Sequence, residues 1–221
     1  MNQWNGKKWY CYGTSMTDNK NLTTKGMNSG TYTKYLAEYA GLEEHNFGNA
    51  GSGIIPKLHE ANNVKTSCMR LTDGKEEADL ITVEVIPNDI KGELGEVTDL
   101  SDDTFCGNLN QIIEYLLSNT NATVVILIAS RSRYNYNDVS MKYFPTSEFN
   151  QKRLQWEEAV ATVCKMHGIQ CWNGGSEACL GYYRTAKDDM LLQDQIHLTE
   201  KGGEILAKYF WGKLKNIFPN N

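Results

Sequence analysis

Long apolar runs are missing from this sequence of 221 residues. The longest, Thr123 to Ala129, is far shorter than the roughly 20 residues that a bilayer-spanning helix needs, so no membrane insertion is expected. The opening MNQWNGKKWYCYG lacks the apolar core, roughly 7–15 residues long, of a signal peptide. As written, the chain is expected to be soluble and cytoplasmic, or secreted or particle-borne if it is a piece of something larger. Clusters of Lys or Arg are missing too. With a net charge of −5 and a pI near 5.4, no phosphate-facing surface for nucleic acid is expected. The six cysteines (Cys11, Cys68, Cys106, Cys164, Cys171 and Cys179) include no Cys-x-x-Cys, and there is no His-Glu-x-x-His. Neither a zinc site nor a thioredoxin-type motif is signalled, and neither metal nor cofactor is expected. Cys11 in a strand pattern and Cys164 in a helix pattern read as small core residues, with one or two disulfides left open. No repeat, low-complexity tract or Pro/Gly linker divides the chain, so residues 1–221 are expected to form one domain.

What is present is ordinary globular composition, 40% apolar and 22% charged, in a length that closes a core without staples. The elements alternate. Lys8 to Tyr12 reads as a first strand ending at Gly13, and Thr31 to Ala40 as a helix stopped by Gly41. A short second strand ends near Phe47. Leu80 to Ile86 is a third strand with Ile81, Val83 and Val85 on one face, followed by a helix striped by Leu109, Ile112, Ile113, Leu116 and Leu117. The continuously apolar Val124 to Ile128 suits a central parallel strand. A helix carrying Trp156, Ala159, Val160 and Val163 stops at Gly168, Ile169 to Trp172 is a fifth strand, and a last helix runs from a Thr199 N-cap to about Ile217. Strands separated by helices predict an α/β fold, a three-layer α/β/α sandwich on a five-stranded parallel sheet, with flavodoxin-like order 2-1-3-4-5. Its topological switch point lies between the first and third strands, where ligands bind at the carboxyl ends.

Four segments can carry chemistry: the first three fall at those ends, and the fourth, before the last helix, sets an acid and a histidine three apart. They are Gly13-Thr14-Ser15-Met16-Thr17-Asp18, Asn46-Phe47-Gly48-Asn49-Ala50-Gly51-Ser52-Gly53, Pro87-Asn88-Asp89 and Asp194-Gln195-Ile196-His197. In this order they resemble the four signature blocks of the SGNH hydrolases, also called the GDSL esterase/lipase family. The resemblance implies an α/β/α fold and cofactor-free ester cleavage through an acyl-enzyme. By position it implies Ser15 as nucleophile, His197 as general base and Asp194 as the carboxylate that orients the imidazole. The implied oxyanion hole comprises the backbone N–H of Ser15, the backbone N–H of Gly51 and the side-chain amide of Asn88. The chemistry fits the residue types: a serine hydroxyl needs a neighbouring base, the base needs an orienting acid, and the tetrahedral oxyanion needs preorganised donors.

Two positions depart from the family pattern. Thr14 stands where the first block usually has Asp, and Ile86 stands where the third block usually begins with glycine. Ile86 and the rigid Pro87 are expected to crowd the acyl side of the cleft and favour short acyl groups. Arg131 to Phe149 is a long connection carrying Tyr134, Tyr136, Tyr143, Phe144 and Phe149 among Asn135, Asn137 and Asp138, a mixture suited to stacking on a sugar ring. The expectation is therefore an esterase that removes acetyl or another short acyl group from a saccharide or glycan. The alternatives are a lysophospholipase or thioesterase for longer chains, and a weakly catalytic glycan-binding domain of a larger surface or phage-tail protein. His45 and His167 read as structural, His59 as structural or lining the cleft, and Glu84 as a strand residue with a polar partner.

Overall fold

Five segments with alternating or continuous apolar residues become strands: β1 (Lys8–Gly13), β2 (Glu43–Gly48), β3 (Leu80–Glu84), β4 (Thr123–Ile128) and β5 (Gln170–Asn173). In the computed structural model, which describes residues 2–19, 31–59, 63–129, 148–180 and 196–219, they pair in parallel in the order β2-β1-β3-β4-β5. The predicted order is the observed one. All of β3 is buried, as are β1 and β4 after their first residues, whereas the edge strand β2 is half-exposed along most of its length.

The helices are α1 (Tyr32–Ala40), α2 (Pro56–His59), α3 (Val64–Cys68), α4 (Phe105–Asn119), α5 (Glu148–Met166), α6 (Gly174–Glu177) and α7 (Glu200–Leu214). Alternation along each strand divides the core in two. Tyr10, Tyr12, Ile81, Val83, Val85, Val124, Ile126 and Ile128 pack with α4 and α5 through Phe105, Leu109, Ile112, Trp156, Val160 and Val163. Trp9, Cys11, Leu80, Val125 and Leu127 face the other way and pack with α1 and α7 through Leu36, Ala40, Leu206, Phe210 and Leu214. The period of two that sends neighbouring side chains to opposite faces is thus what makes three layers.

The helix ends follow local chemistry. Thr104 and Thr199 accept hydrogen bonds from the Gly107 and Gly202 N–H groups at the starts of α4 and α7. Gly41, at φ 65°, closes α1 in the left-handed conformation that only glycine adopts without a steric penalty. Strand β3 stops two residues short of the predicted Ile86. The Val85 N–H still reaches the Leu127 carbonyl at 3.0 Å, but Ile86 turns to φ 91° and leaves the ladder. All six cysteines are free thiols. Among the described residues no helix is long and apolar enough to cross a membrane.

Trp4 ties the beginning of the chain to its last helix. It has no exposed surface, and its indole N–H donates to the Leu214 and Ile217 carbonyls at 2.9 and 3.1 Å, at and just beyond the end of α7. Replacing Trp4 by Ala removes a large buried ring together with that donor. The expected outcome is a loss of about 3–5 kcal/mol, read as a lower urea midpoint at unchanged slope.

Candidate active site

Strand β1 ends in a tight turn. The Thr14 carbonyl accepts from the Thr17 and Asp18 N–H groups, each at 3.0 Å, winding residues 14–18 into a single turn of helix-like backbone. Thr14, Met16, Thr17 and Asp18 are buried, and Ser15 between them is half-buried. The turn is held from the neighbouring strand by Glu84, the last residue of β3. Its carboxylate accepts the Thr14 N–H at 2.7 Å, the Thr14 hydroxyl at 2.9 and 3.1 Å, and the Thr17 hydroxyl at 3.2 Å. Gly13 makes room for this clamp: a Cβ there would lie 2.7 Å from Glu84 Oε2 and inside contact distance of the Thr17 hydroxyl. Glu84 has no exposed surface. Burial pushes its carboxyl up to about 7, although the donors from Thr14 and Thr17 and the charge of Arg153 pull the other way.

The second loop crosses directly over this turn. The Asn49 N–H donates to the Gly13 carbonyl at 3.0 Å, and the Ala50 N–H to Asp18 Oδ2 at 3.1 Å. A Cβ on Gly48 would come within 2.7 Å of the Asp18 Cα, so the two backbones pass at a distance only glycine permits. Gly51 has a different reason for being glycine. It is exposed and a Cβ would meet nothing, but its φ of +83° lies in the left-handed region. Backbone conformation, not close approach of neighbouring atoms, selects the residue there.

Asn88 and Asp89 fasten the third loop to the second. The Asn88 amide donates to the Ser52 carbonyl at 2.7 Å. An amide nitrogen carries two N–H groups, so anchoring one on Ser52 fixes the direction of the other. Asp89, with no exposed surface, accepts the backbone N–H groups of Ile54 and Ile55 at 3.0 Å and stands 3.1 Å from Nε2 of His59. The His59 side chain is 3% exposed, which makes it a brace behind the loops and not a group lining the cleft. Ile86, too, differs from its predicted place. It is fully buried in the core cluster shared with Ile54, Ile55 and Ile90, so its side chain does not crowd the acyl side, and of the two residues only the half-buried Pro87 is left to do so.

The structure thus joins Ser15, Gly51 and Asn88 on three mutually hydrogen-bonded loops at the carboxyl ends of β1, β2 and β3. His197 stands two residues before the Thr199 cap of α7, is 8% exposed, and has a buried Nε2. Its neighbour Leu198 and Ser15's neighbour Met16 belong to the same apolar cluster. Asp194 lies outside the described residues, as do Arg131 and the aromatic side chains Tyr134 to Phe149. His45 stacks on Tyr10 at 4.5 Å and His167 bonds Asn110 at 2.8 Å, both structural as read. Asp89 was named within its motif block, but its bracing of Ile54, Ile55 and His59 and the full role of Glu84 escaped the sequence reading. The available signal was an ionisable residue inside Leu80 to Ile86, a strand whose neighbours are all apolar or β-branched.

Comparison with known proteins agrees with this architecture. The family model of GDSL-like lipases/acylhydrolases matches residues 10–210. None of the curated proteins compared matches the sequence significantly. A crystal structure of a protein from Lactobacillus plantarum superposes with a TM-score of 0.78 at 21% identity, covering 97% of this chain and 99% of that one. The acetylxylan esterase Axe2 from Geobacillus stearothermophilus superposes at 0.65 with 15% identity, covering 98% and 97%. LAE5, an α/β hydrolase from the metagenome of Lake Arreo in Spain, superposes at 0.64 with 16% identity, covering 97% of each chain. At these identities the superpositions speak for the fold alone. Matched over nearly its whole length by the family model, the chain belongs to the GDSL-like lipase/acylhydrolase family and is an ester-hydrolysing enzyme.

Proposed function

We propose that the enzyme is a serine esterase that removes short acyl groups, acetyl first, from a carbohydrate. The observation that supports this reading is the three-loop assembly around Ser15, in which Ala50 and Ser52, on either side of Gly51, bond to the ends of the turn that bears the hydroxyl, and Ser52 also receives the Asn88 amide. Ser15 Oγ attacks the ester carbonyl carbon while its proton passes to His197. The negative charge that develops on the carbonyl oxygen is received by the N–H groups of Ser15 and Gly51 and by the Asn88 amide. Such donors act strongly because they are already oriented when the charge appears. Collapse of the tetrahedral intermediate expels the alkoxide, which takes the proton back from His197. A water molecule, deprotonated by the same imidazole, then cleaves the acyl-enzyme and releases the acid and Ser15. Asp194 serves to hold the imidazole in the tautomer this exchange requires.

Two features favour a short acyl group on a sugar. The Axe2 structures with the same fold are described as esterases of acetylxylan and acetyl-xylooligosaccharides. In this chain the rigid Pro87 directly precedes the proposed donor Asn88, and the aromatic and amide side chains between Tyr134 and Phe149 have the chemistry of a sugar platform. The expected order of kcat/KM is acetyl above butanoyl above octanoyl in a series of p-nitrophenyl esters. A preference for octanoyl would sink the carbohydrate reading and favour a lysophospholipase or thioesterase. Ser15→Ala is expected to reduce turnover of p-nitrophenyl acetate by about three orders of magnitude or more, with an unchanged circular dichroism spectrum. Near-native turnover in the folded variant would mean that another group is the nucleophile.

A further inference from the structure

An acidic residue buried at the end of a central strand needs a reason. Leu80, Ile81 and Val83 fill β3 with apolar side chains, yet Glu84 follows them with no exposed surface. An unpaired carboxylate in such a place is strongly disfavoured. Among the described residues, the hydrogen bonds to the Glu84 carboxylate come from the turn that carries Ser15: the Thr14 N–H and hydroxyl and the Thr17 hydroxyl. Thr17 is held in its turn by the Tyr32 hydroxyl of α1, 3.1 Å away. These contacts grip the residues on both sides of Ser15 and leave the serine itself to the substrate.

Resting on the reading of Ser15 as nucleophile, we propose that Glu84 is a positioning residue that sets the Ser15 hydroxyl through its bonds to Thr14 and Thr17. Thr14 is part of the same device. Its hydroxyl and N–H both donate to one carboxylate, whereas an aspartate at that position would set a second carboxylate against the first. Threonine beside the serine and glutamate on β3 therefore belong together, and Gly13 completes the set because a side chain there would displace the carboxylate. The groups that bear electrically on Glu84 are the Thr14 and Thr17 donors and Arg153 of α5, which is itself paired with Glu157 at 3.1 Å. The Tyr32 hydroxyl feels the Glu84 charge in turn.

Turnover and reaction of the nucleophile with a fluorophosphonate test the proposal in the full chain. Glu84→Met keeps the length and removes both acceptors, while Glu84→Gln keeps one acceptor for the Thr14 N–H. Misplacing a reacting group by a fraction of an ångström to an ångström costs about 10- to 100-fold in rate. Glu84→Met is accordingly expected to lower kcat and fluorophosphonate labelling by at least about 10-fold. Its KM should stay within about twofold, since Glu84 touches no substrate. Glu84→Gln should recover a large part of that loss. Thr17→Val, isosteric and lacking one donor, should lie between native and Glu84→Met, and it reads the same clamp should the Met variant not fold. Native kcat in folded Glu84→Met, Glu84→Gln no faster than Glu84→Met, or native kcat in Thr17→Val would each overturn the proposal. Labelling at a residue other than Ser15 would instead overturn the nucleophile assignment, whatever the Glu84 variants do.

A pH series adds a readout that catalysis does not enter. The Glu84 carboxyl is raised from 4.5 to about 7, so the folded protein holds the proton to higher pH than the unfolded chain. The contribution of Glu84 to stability is complete below about 4.5, falls as pH rises through that window, and is lost above about 7. Glutamine does not titrate. The unfolding midpoint of Glu84→Gln relative to native is expected to rise between pH 5 and pH 8, while its turnover stays below native at the upper end. A difference in midpoint that stays flat, or that falls with pH, would mean that Glu84 is not buried against the turn as described.

Discussion

The site exists because β1 and β3 are neighbours while their chain connections leave in opposite directions. From β1 the chain runs to the edge strand β2, and from β3 it runs to β4, so the two connections diverge at the carboxyl ends of the central pair. The register, with Tyr12 opposite Val83, brings the two strand ends level. The turn after Gly13 and the carboxylate of Glu84 are thereby within a hydrogen bond of each other. Parallel pairing supplies this geometry without any help from the loops. The loops then use it: each of the three leans on the next through backbone N–H groups received by carbonyls or by the buried acids Glu84, Asp89 and Asp18.

Those acids carry the polar framework behind the three loops. A loop that passes close to a sheet end brings backbone N–H groups with no strand to pair with, and leaving them buried and unmet costs about 1–3 kcal/mol each. Carboxylates are economical acceptors for several such donors at once, because their four lone-pair directions serve groups arriving from different segments. Asp89 takes Ile54 and Ile55 together, and Glu84 takes Thr14 twice. Rigidity at the three loops follows from this sharing, since moving one loop breaks bonds belonging to another.

Most of the scaffold could be read from the sequence. Apolar period marked the strands and helices, Gly41 and Thr199 marked helix ends through known cap chemistry, and the alternation of elements gave the strand order. The boundaries that slipped did so for local reasons, as at Ile86, where a left-handed backbone ended a strand whose composition ran on. At the site, the identities of Ser15, Gly51, Asn88 and His197 were legible as motif positions, and the loops bearing the first three do meet. What the sequence did not reveal were the couplings between loops, because they join residues 70 positions apart, as Thr14 and Glu84 do. His59 was left open for a similar reason: its partner, Asp89, lies 30 positions away. Asp194, outside the described residues, rests on its motif alone.

The left-handed Ile86 has a consequence for how the enzyme responds to warming. A β-branched residue at φ 91° carries on the order of 1–3 kcal/mol of backbone strain, and burying its side chain recovers a comparable amount, roughly 1.5–3 kcal/mol. The two are nearly in balance, so the bend is held by the tightness of the surrounding core and not by any preference of its own. Asn88 stands two residues further on. Expansion of the packing around Ile54, Ile55 and Ile90 would let the bend relax toward an ordinary conformation and swing the amide away while the sheet was still intact. With Asn88 as the proposed oxyanion donor, heat would then lower activity some degrees below the temperature at which the protein melts, and distant core substitutions would be felt first as lost activity.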